Sequence, residues 1–283
     1  MANLLKGKDV ADALNAKMAA DVDALRNKGV TPTLAILRVG ERPDDISYEK
    51  GATKMCEAVG VAVKNILLPS EATQAALLAS IDALNKDSSI HGVLMFRPLP
   101  KHLNEEEARC ALAPEKDVDG ITDGSIVGVF TNNGQGYPPC TAQACMEILA
   151  HYGVELSGKR AVVVGRSLVI GKPVAQMLLA KNATVTTCHT KTADMPSVTK
   201  GADIVVVAAG KAGAVTGAYL APGQYVVDVG INFNDEGKMC GDVKFDEAEV
   251  IVEAITPVPG GVGAVTTSVL VSHVVDAAKK ASK

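Results

Sequence analysis

Short apolar runs alternate with longer segments of helical period along this chain, and that alternation sets the expectations for its fold. Residues 8–28 carry Val10, Leu14, Met18, Val22 and Leu25 on one stripe, which predicts an amphipathic helix. Thr33–Val39 is a short apolar run between Pro32 and Gly40, hence a buried strand. A helix over roughly 45–59 carries Tyr48 and Lys54, Val61–Leu67 reads as a second strand and Thr73–Leu84 as a helix. A third strand, Gly92–Phe96, runs into Arg97-Pro98-Leu99-Pro100. Strands that alternate with helices predict a parallel α/β sheet.

Between about 101 and 141 the pattern loosens. Asn104–Leu112 is a short helix with acidic residues in its first turn, followed by Pro114-Glu-Lys-Asp117-Val-Asp119-Gly120. The stretch Asn132–Thr141 is rich in turn residues and makes a hinge before a helix at about 142–151. A second α/β series follows, with strands at Ala161–Val164, Ala183–Cys188, Ile204–Ala208, Tyr225–Val229 and Ala254–Thr256. The end, Val265–Lys283, is helical and amphipathic. The first strand of this series leads into Gly165-Arg166-Ser167-Leu-Val-Ile-Gly171-Lys-Pro173, then into Val174, Met177 and Leu178 at helical spacing. Strand, glycine turn and helix in that order open a dinucleotide-binding fold, whose helix N-terminus offers free N–H groups to a pyrophosphate. The spacing departs from G-x-G-x-x-G, since Ser167 stands where the second glycine would be. Taken alone, the string reads equally well as an ordinary strand–turn–helix.

Composition narrows the class. An apolar content of 47% with 21% charged residues belongs to a soluble globular protein with ample core, and the few aromatics leave packing to Ala, Val, Leu and Ile. A net charge of −4 gives no electrostatic case for nucleic acid. The start lacks a long apolar segment and no run of 18 apolar residues exists, so neither a secreted nor a membrane protein is expected; the cytoplasm is. The six cysteines form no C-x-x-C, which points to reduced thiols and no metal centre.

Ligands of open α/β sheets sit beyond the carboxyl ends of the strands. Those ends read Gly165-Arg166-Ser167, Cys188-His189-Thr190-Lys191, Ala208-Ala209-Gly210, Val229-Gly230-Ile231-Asn232 and Pro257-Val-Pro259-Gly260-Gly261-Val-Gly263. Each is an ordinary turn by itself; five small or glycine-bearing ends in register suit close approach of a cofactor. The second of them has no Asp or Glu for ribose hydroxyls, and with Arg166 it favours the 2′-phosphate of NADP over NAD. The same Arg166, His189 and Lys191 also read as solvated surface. Asp117-Val-Asp119 invites a hard cation, but no further ligands follow at loop spacing. A lone buried carboxylate there would instead accept from the N–H edge of a heterocycle, or serve as a turn aspartate.

Together these segments resemble the methylenetetrahydrofolate dehydrogenase/cyclohydrolase family of one-carbon metabolism. The matching pieces are Tyr48 with the Lys54 helix, Arg97-Pro-Leu-Pro100, Asp117-Val-Asp-Gly120, Pro139-Cys-Thr141 and Gly165–Pro173. They continue through Cys188-His-Thr, Asp228-Val-Gly-Ile-Asn232, Gly241-Asp-Val243 and Thr256–Gly263, in the family order over nearly the whole chain. The resemblance implies an α/β fold with two α/β domains around a cleft. One, residues 1–141 with 265–283, would bind folate; the other, 142–264, would be a Rossmann-like parallel sheet holding NADP. It implies a homodimer and hydride transfer from 5,10-methylenetetrahydrofolate to NADP. Carried over by motif, Tyr48 and Asp119 are the catalytic pair and line the folate site, with Pro259 and Gly260 approaching the folate. Gly165, Arg166, Ser167, Thr190, Ile231 and Thr141 would contact the cofactor.

Two departures stand out. The family places a lysine four residues after the tyrosine for a hydrolytic second step, supported by the glutamine of Gln-Leu-Pro-Leu-Pro; here those places hold Ala52 and Phe96. Ala52 lies about 40° from Tyr48 around a helix, whereas Lys50 and Lys54 point away from that face. The expectation is therefore a dehydrogenase with weak or absent cyclohydrolase activity. The full bifunctional enzyme is the alternative, and a non-catalytic nucleotide-binding regulator is the alternative of another class.

Overall fold

The structure, a computed structural model, describes residues 1–282, so the last residue of the expected C-terminal helix lies outside them. In chain order it runs β1 (Asn3–Leu4), α1 (Gly7–Arg26), β2 (Thr33–Val39), α2 (Pro43–Val59), β3 (Ala62–Leu68), α3 (Gln74–Lys86) and β4 (Gly92–Met95). Then come α4 (Glu105–Ala111), α5 (Asp123–Thr131), α6 (Cys140–His151), β5 (Arg160–Val164), α7 (Gly171–Ala180), β6 (Thr184–Cys188), α8 (Met195–Lys200) and β7 (Ile204–Val207). The chain closes with β8 (Tyr225–Asp228), β9 (Asn232–Phe233), β10 (Met239–Cys240), α9 (Phe245–Ala248), β11 (Ala254–Ile255) and α10 (Thr266–Ala281).

The chain packs as two compact units. One comprises Ala13–Cys140 with Thr267–Lys283, the other Met1–Asp12 with Thr141–Thr266. In the first, a parallel three-stranded sheet has the order β3-β2-β4. Central β2 is enclosed on both faces, which is why it reads as a continuous apolar run. Leu37, Leu77, Ile81, Val93 and Met95 meet in its core; each such side chain withdrawn from water is worth about 1.5–3 kcal/mol. Gly92, at the start of β4, is required by packing: a Cβ there would lie 2.5 Å from a methyl of Val118.

In the second unit a parallel six-stranded sheet has the order β1-β11-β8-β7-β5-β6. From β5 the chain crosses to β6 on one side and then returns to β7 on the other, so β5 is the switch point of a Rossmann-like sheet. Ile204–Val207 are all buried, whereas edge strand β6 exposes Thr184, Thr186 and Thr187. Two short features are new relative to the periodicity. Strand β1 pairs with β11, so the first twelve residues pack with the second unit rather than with the sheet of β2. The antiparallel hairpin β9–β10 leaves Phe233 and Met239 exposed. In the stretch where the pattern loosens, Asp123–Thr131 forms α5, capped by the hydroxyl of Thr122, which accepts from Ser125 N–H.

Candidate active site

Beyond the end of β5, Gly165 adopts a left-handed φ of 135°, and a Cβ there would stand 2.2 Å from the carbonyl oxygen of Ala208. Gly171 is equally confined, since its Cβ would lie 2.3 Å from the Gly165 oxygen and 2.7 Å from Arg166 N. The two glycines thus let the turn fold back on itself and bring helix α7 against the strand end. Ser167 Oγ accepts from Ile170 N–H at 3.2 Å and from Gly171 N–H at 3.5 Å, supplying a local partner where the helix begins. Arg166 and Ser167 are exposed.

Strands β5 and β6 are in register to their last residues, Val164 opposite Cys188, so the glycine turn and His189-Thr190-Lys191 leave the sheet side by side. His189 Nδ1 accepts from Lys191 N–H at 3.1 Å, and His189 N–H donates to Thr192 Oγ1 at 2.9 Å. Thr190 and Lys191 are exposed beside a turn that carries Arg166 and no carboxylate. Glycines with no room for a side chain, hydroxyls and exposed cations together fit a phosphorylated dinucleotide.

Further along the same sheet edge, a cavity of about 300 Å3 is lined by Asp228, Ile231, Pro259 and Gly260 among others. Ile231 is 62% exposed, an apolar surface presented rather than buried. The loop with Pro259 and Gly260 is fastened to the start of α1: Gly7 N–H donates to Gly260 O at 2.8 Å, and a Cβ on Gly7 would meet the Gly261 oxygen. Two buried carboxylates that the motif reading left without a role organise this edge. Asp228 accepts from the N–H groups of Gly230, Asp242 and Val243 at 2.9–3.0 Å. Burial still pushes its carboxyl up to about 6, against those three donors. Asp242 accepts from Gly210 N–H, Lys211 N–H and Asn232 Nδ2 at 2.8–2.9 Å. They tie the loops after β7 and β8 to β10, and a carboxylate ending an apolar strand was the signal that could have found Asp228. Thr141 sits half-buried in the first turn of α6, its carbonyl accepting from Cys145 Sγ; no hydrogen bond among the described residues ties it to the glycine turn.

In the other unit the two neighbouring aspartates have different work. Asp117 is fully buried and accepts from Ile121 N–H, Thr122 N–H and Ser125 Oγ at 3.0, 2.7 and 2.6 Å, so it is the turn aspartate that anchors α5. Asp119 is half-buried, near the Cys140 thiol and the Tyr48 phenol. Burial and the charge of Asp117 raise its carboxyl to about 6, while Arg97 and the Cys140 thiol pull the other way. Burial and the charge of Asp119 push the Tyr48 phenol up, with a hydrogen bond from Thr267 of α10 opposing them. The Tyr48 ring is 39% exposed and stands edge-on to Phe96, centroids 5.8 Å apart. Ala52, one helical turn on, is fully buried, and Lys50 and Lys54 are exposed.

Comparison with known proteins decides the family. Residues 5–119 match the tetrahydrofolate dehydrogenase/cyclohydrolase catalytic domain, and residues 139–282 match the NAD(P)-binding domain of the same name. The chain belongs to the tetrahydrofolate dehydrogenase/cyclohydrolase family. It is 51% identical over 279 residues to the bifunctional protein FolD of Carboxydothermus hydrogenoformans, covering 98% of this chain and 97% of that one. The bifunctional protein FolD of Clostridioides difficile is 45% identical over 276 residues, covering 98% and 96%. Among solved structures, the bifunctional enzyme FolD of Campylobacter jejuni has a TM-score of 0.95 at 38% identity, covering 99% of each chain. The Trypanosoma brucei methylenetetrahydrofolate dehydrogenase-cyclohydrolase, complexed with NADP and an inhibitor, has a TM-score of 0.90 at 35% identity over 100% of this chain and 99% of that one. No described helix is long and apolar enough to cross a membrane.

Proposed function

We propose that this chain oxidises 5,10-methylenetetrahydrofolate to the 5,10-methenyl cation, its Rossmann-like unit holding NADP and the unit with β2 at its centre holding the folate. The half-buried carboxylate of Asp119, near the partly exposed Tyr48, carries the reading. When bound, NADP supplies the hydride acceptor. Arg166, Ser167 and Thr190 would hold its 2′-phosphate, the backbone at Gly165 its pyrophosphate, and Ile231 would give an apolar contact. On the folate side, Asp119 accepts from the N–H edge of the pterin, and Pro259 and Gly260 approach the same substrate. A C–H bond of the one-carbon bridge breaks with its electron pair leaving on the hydrogen, so the bridge gains positive charge and no proton moves. A fixed carboxylate favours that growing charge, and no acid or base is needed. The supporting structure is the T. brucei relative, whose complex contains NADP.

On the hydrolytic half the two sources of support point apart. The relatives are named as bifunctional, which supports the bifunctional alternative over loss of the second activity. Ala52, fully buried, and Phe96, packed on Tyr48, support hydrolysis as the slower half. We therefore read the chain as a dehydrogenase/cyclohydrolase whose water-dependent step is weak. Steady-state assay of both half-reactions on one sample tests this: NADPH absorbance from the methylene compound, and decay of added methenyl compound with and without enzyme. No NADPH formation would overturn the dehydrogenase reading; hydrolysis as fast as oxidation would overturn the second. A cytoplasmic homodimer completes the proposal. The six cysteines, none in a disulfide, support the location, and light scattering at working concentration tests the dimer.

A further inference from the structure

We propose that His273, on helix α10, is a positioning residue for Asp119; the inference rests on the reading of Asp119 as the folate anchor. The backbone that delivers Asp119 is fixed on every side but one. Before it, Asp117 ties its own carboxylate to the start of α5 and bridges to Val93 of β4. After it, Gly120 takes a left-handed φ of 71° where a Cβ would stand 2.4 Å from Pro139 N and 2.7 Å from the Pro138 oxygen. Between them the Val118 side chain is fully buried in the slot left by Gly92.

The remaining freedom is rotation of the Val118–Asp119 peptide, which would swing the Asp119 side chain. His273 removes it. Its Nδ1 lies 2.8 Å from the Val118 carbonyl oxygen, and because a carbonyl only accepts, Nδ1 carries the proton and donates. The imidazole is 6% exposed, stacked at 5.0 Å on the ring of Tyr137, and its Nδ1 is 3.9 Å from Cys140 Sγ. Cys140 Sγ also donates to the same Val118 oxygen, at 3.3 Å. A carbonyl oxygen has two lone pairs, so it accepts from both, and the imidazole nitrogen is the nearer and stronger donor. The Val118 carbonyl belongs to the peptide that carries Asp119, so His273 acts on Asp119 through the backbone, with no contact from the imidazole to the substrate side required.

The test compares three variants by thermal unfolding and by KM for methylenetetrahydrofolate and for NADP. His273→Leu keeps an apolar body and removes the donor; His273→Asn returns an N–H at the place of Nδ1; Asp119→Ala is the control. The expected result is a roughly tenfold rise in folate KM for His273→Leu, the scale of one lost buried hydrogen bond. His273→Asn should recover most of it, with NADP KM unchanged in both. Leu and Asn variants that behave alike, whether both impaired or both like the parent, would overturn the positioning role; so would a rise in NADP KM of the same size. An unchanged folate KM in Asp119→Ala would sink the folate reading itself and this proposal with it. An impaired Asp119→Ala beside an unimpaired His273→Leu would sink the positioning role alone.

Discussion

Restoring the two missing hydrolytic groups gives the most exposed prediction. Phe96→Gln removes a ring that is 9% exposed and stands edge-on to Tyr48, a contact worth about 0.5–1.5 kcal/mol beyond its burial. Ala52→Lys is harsher, because position 52 has no exposed surface and an unpaired ammonium there costs several kcal/mol. The glutamine is the polar partner that would reduce that cost, so the two changes should couple rather than add. General acid–base help is typically worth about 10²–10⁴-fold. We expect Ala52→Lys alone to recover a small part of the hydrolytic rate at reduced stability. The double variant should gain about 10²-fold over the parent, with the oxidation rate within a few-fold. The assay follows methenyltetrahydrofolate decay in parallel with NADPH formation, on protein whose melting temperature is recorded. A parent that hydrolyses as fast as it oxidises, or a folded double variant with no gain, would refute the reasoning. Either result would direct attention to Lys50 or Lys54.

Three further outcomes follow from the geometry. Arg166→Ala should weaken NADP more than NAD, by about 1.5–3 kcal/mol for a charged hydrogen bond, read as the ratio of the two cofactor KM values; equal losses would remove Arg166 from the 2′-phosphate. Asp119→Asn should lower folate affinity yet stabilise the protein at neutral pH. Its folded carboxyl is raised from 3.8 to about 6, so the native state holds that proton more tightly and loses stability as pH climbs between those values. The gain in melting temperature should therefore vanish below about pH 4. Gly171→Ala puts a Cβ 2.3 Å from the Gly165 oxygen, where only backbone can give way. About 1–3 kcal/mol of stability should be lost, with a raised NADP KM and little change for folate.

The regular parts of this fold were legible because burial on both faces leaves a plain signature. Thr33–Val39 and Ile204–Val207 are uninterrupted apolar runs, and they are the strands β2 and β7 at the centres of their sheets. What escaped was held by contacts rather than periodicity. Strand β1 is two residues long and exists because β11 offers it an edge. Helix α5 depends on Asp117 and Thr122 capping its start, and its exposed Val127 and Phe130 blur any stripe. At the site, Asp117 and Asp119 are indistinguishable as letters two positions apart. Only the fold shows Asp117 turned inward to α5 and Asp119 left half-buried near Tyr48. His273 was invisible for the same reason: a histidine on an amphipathic helix says nothing about which carbonyl it will find.

Helix α10 has a consequence for how the protein comes into being. The unit built on Met1–Asp12 and Thr141–Thr266 has all its residues once the chain reaches position 266. The unit carrying Tyr48 and Asp119 does not: it is interrupted after Cys140 and resumes at Thr267. Until α10 is made, the Val118 carbonyl has no imidazole, Val274 has not closed against the Gly92 slot, and Tyr48 lacks Thr267. A chain cut short by a few turns would then keep a finished nucleotide fold beside an unfinished carboxylate site. The carboxylate site is thus a property of segments far apart in the chain, and it is complete only when α10 is in place.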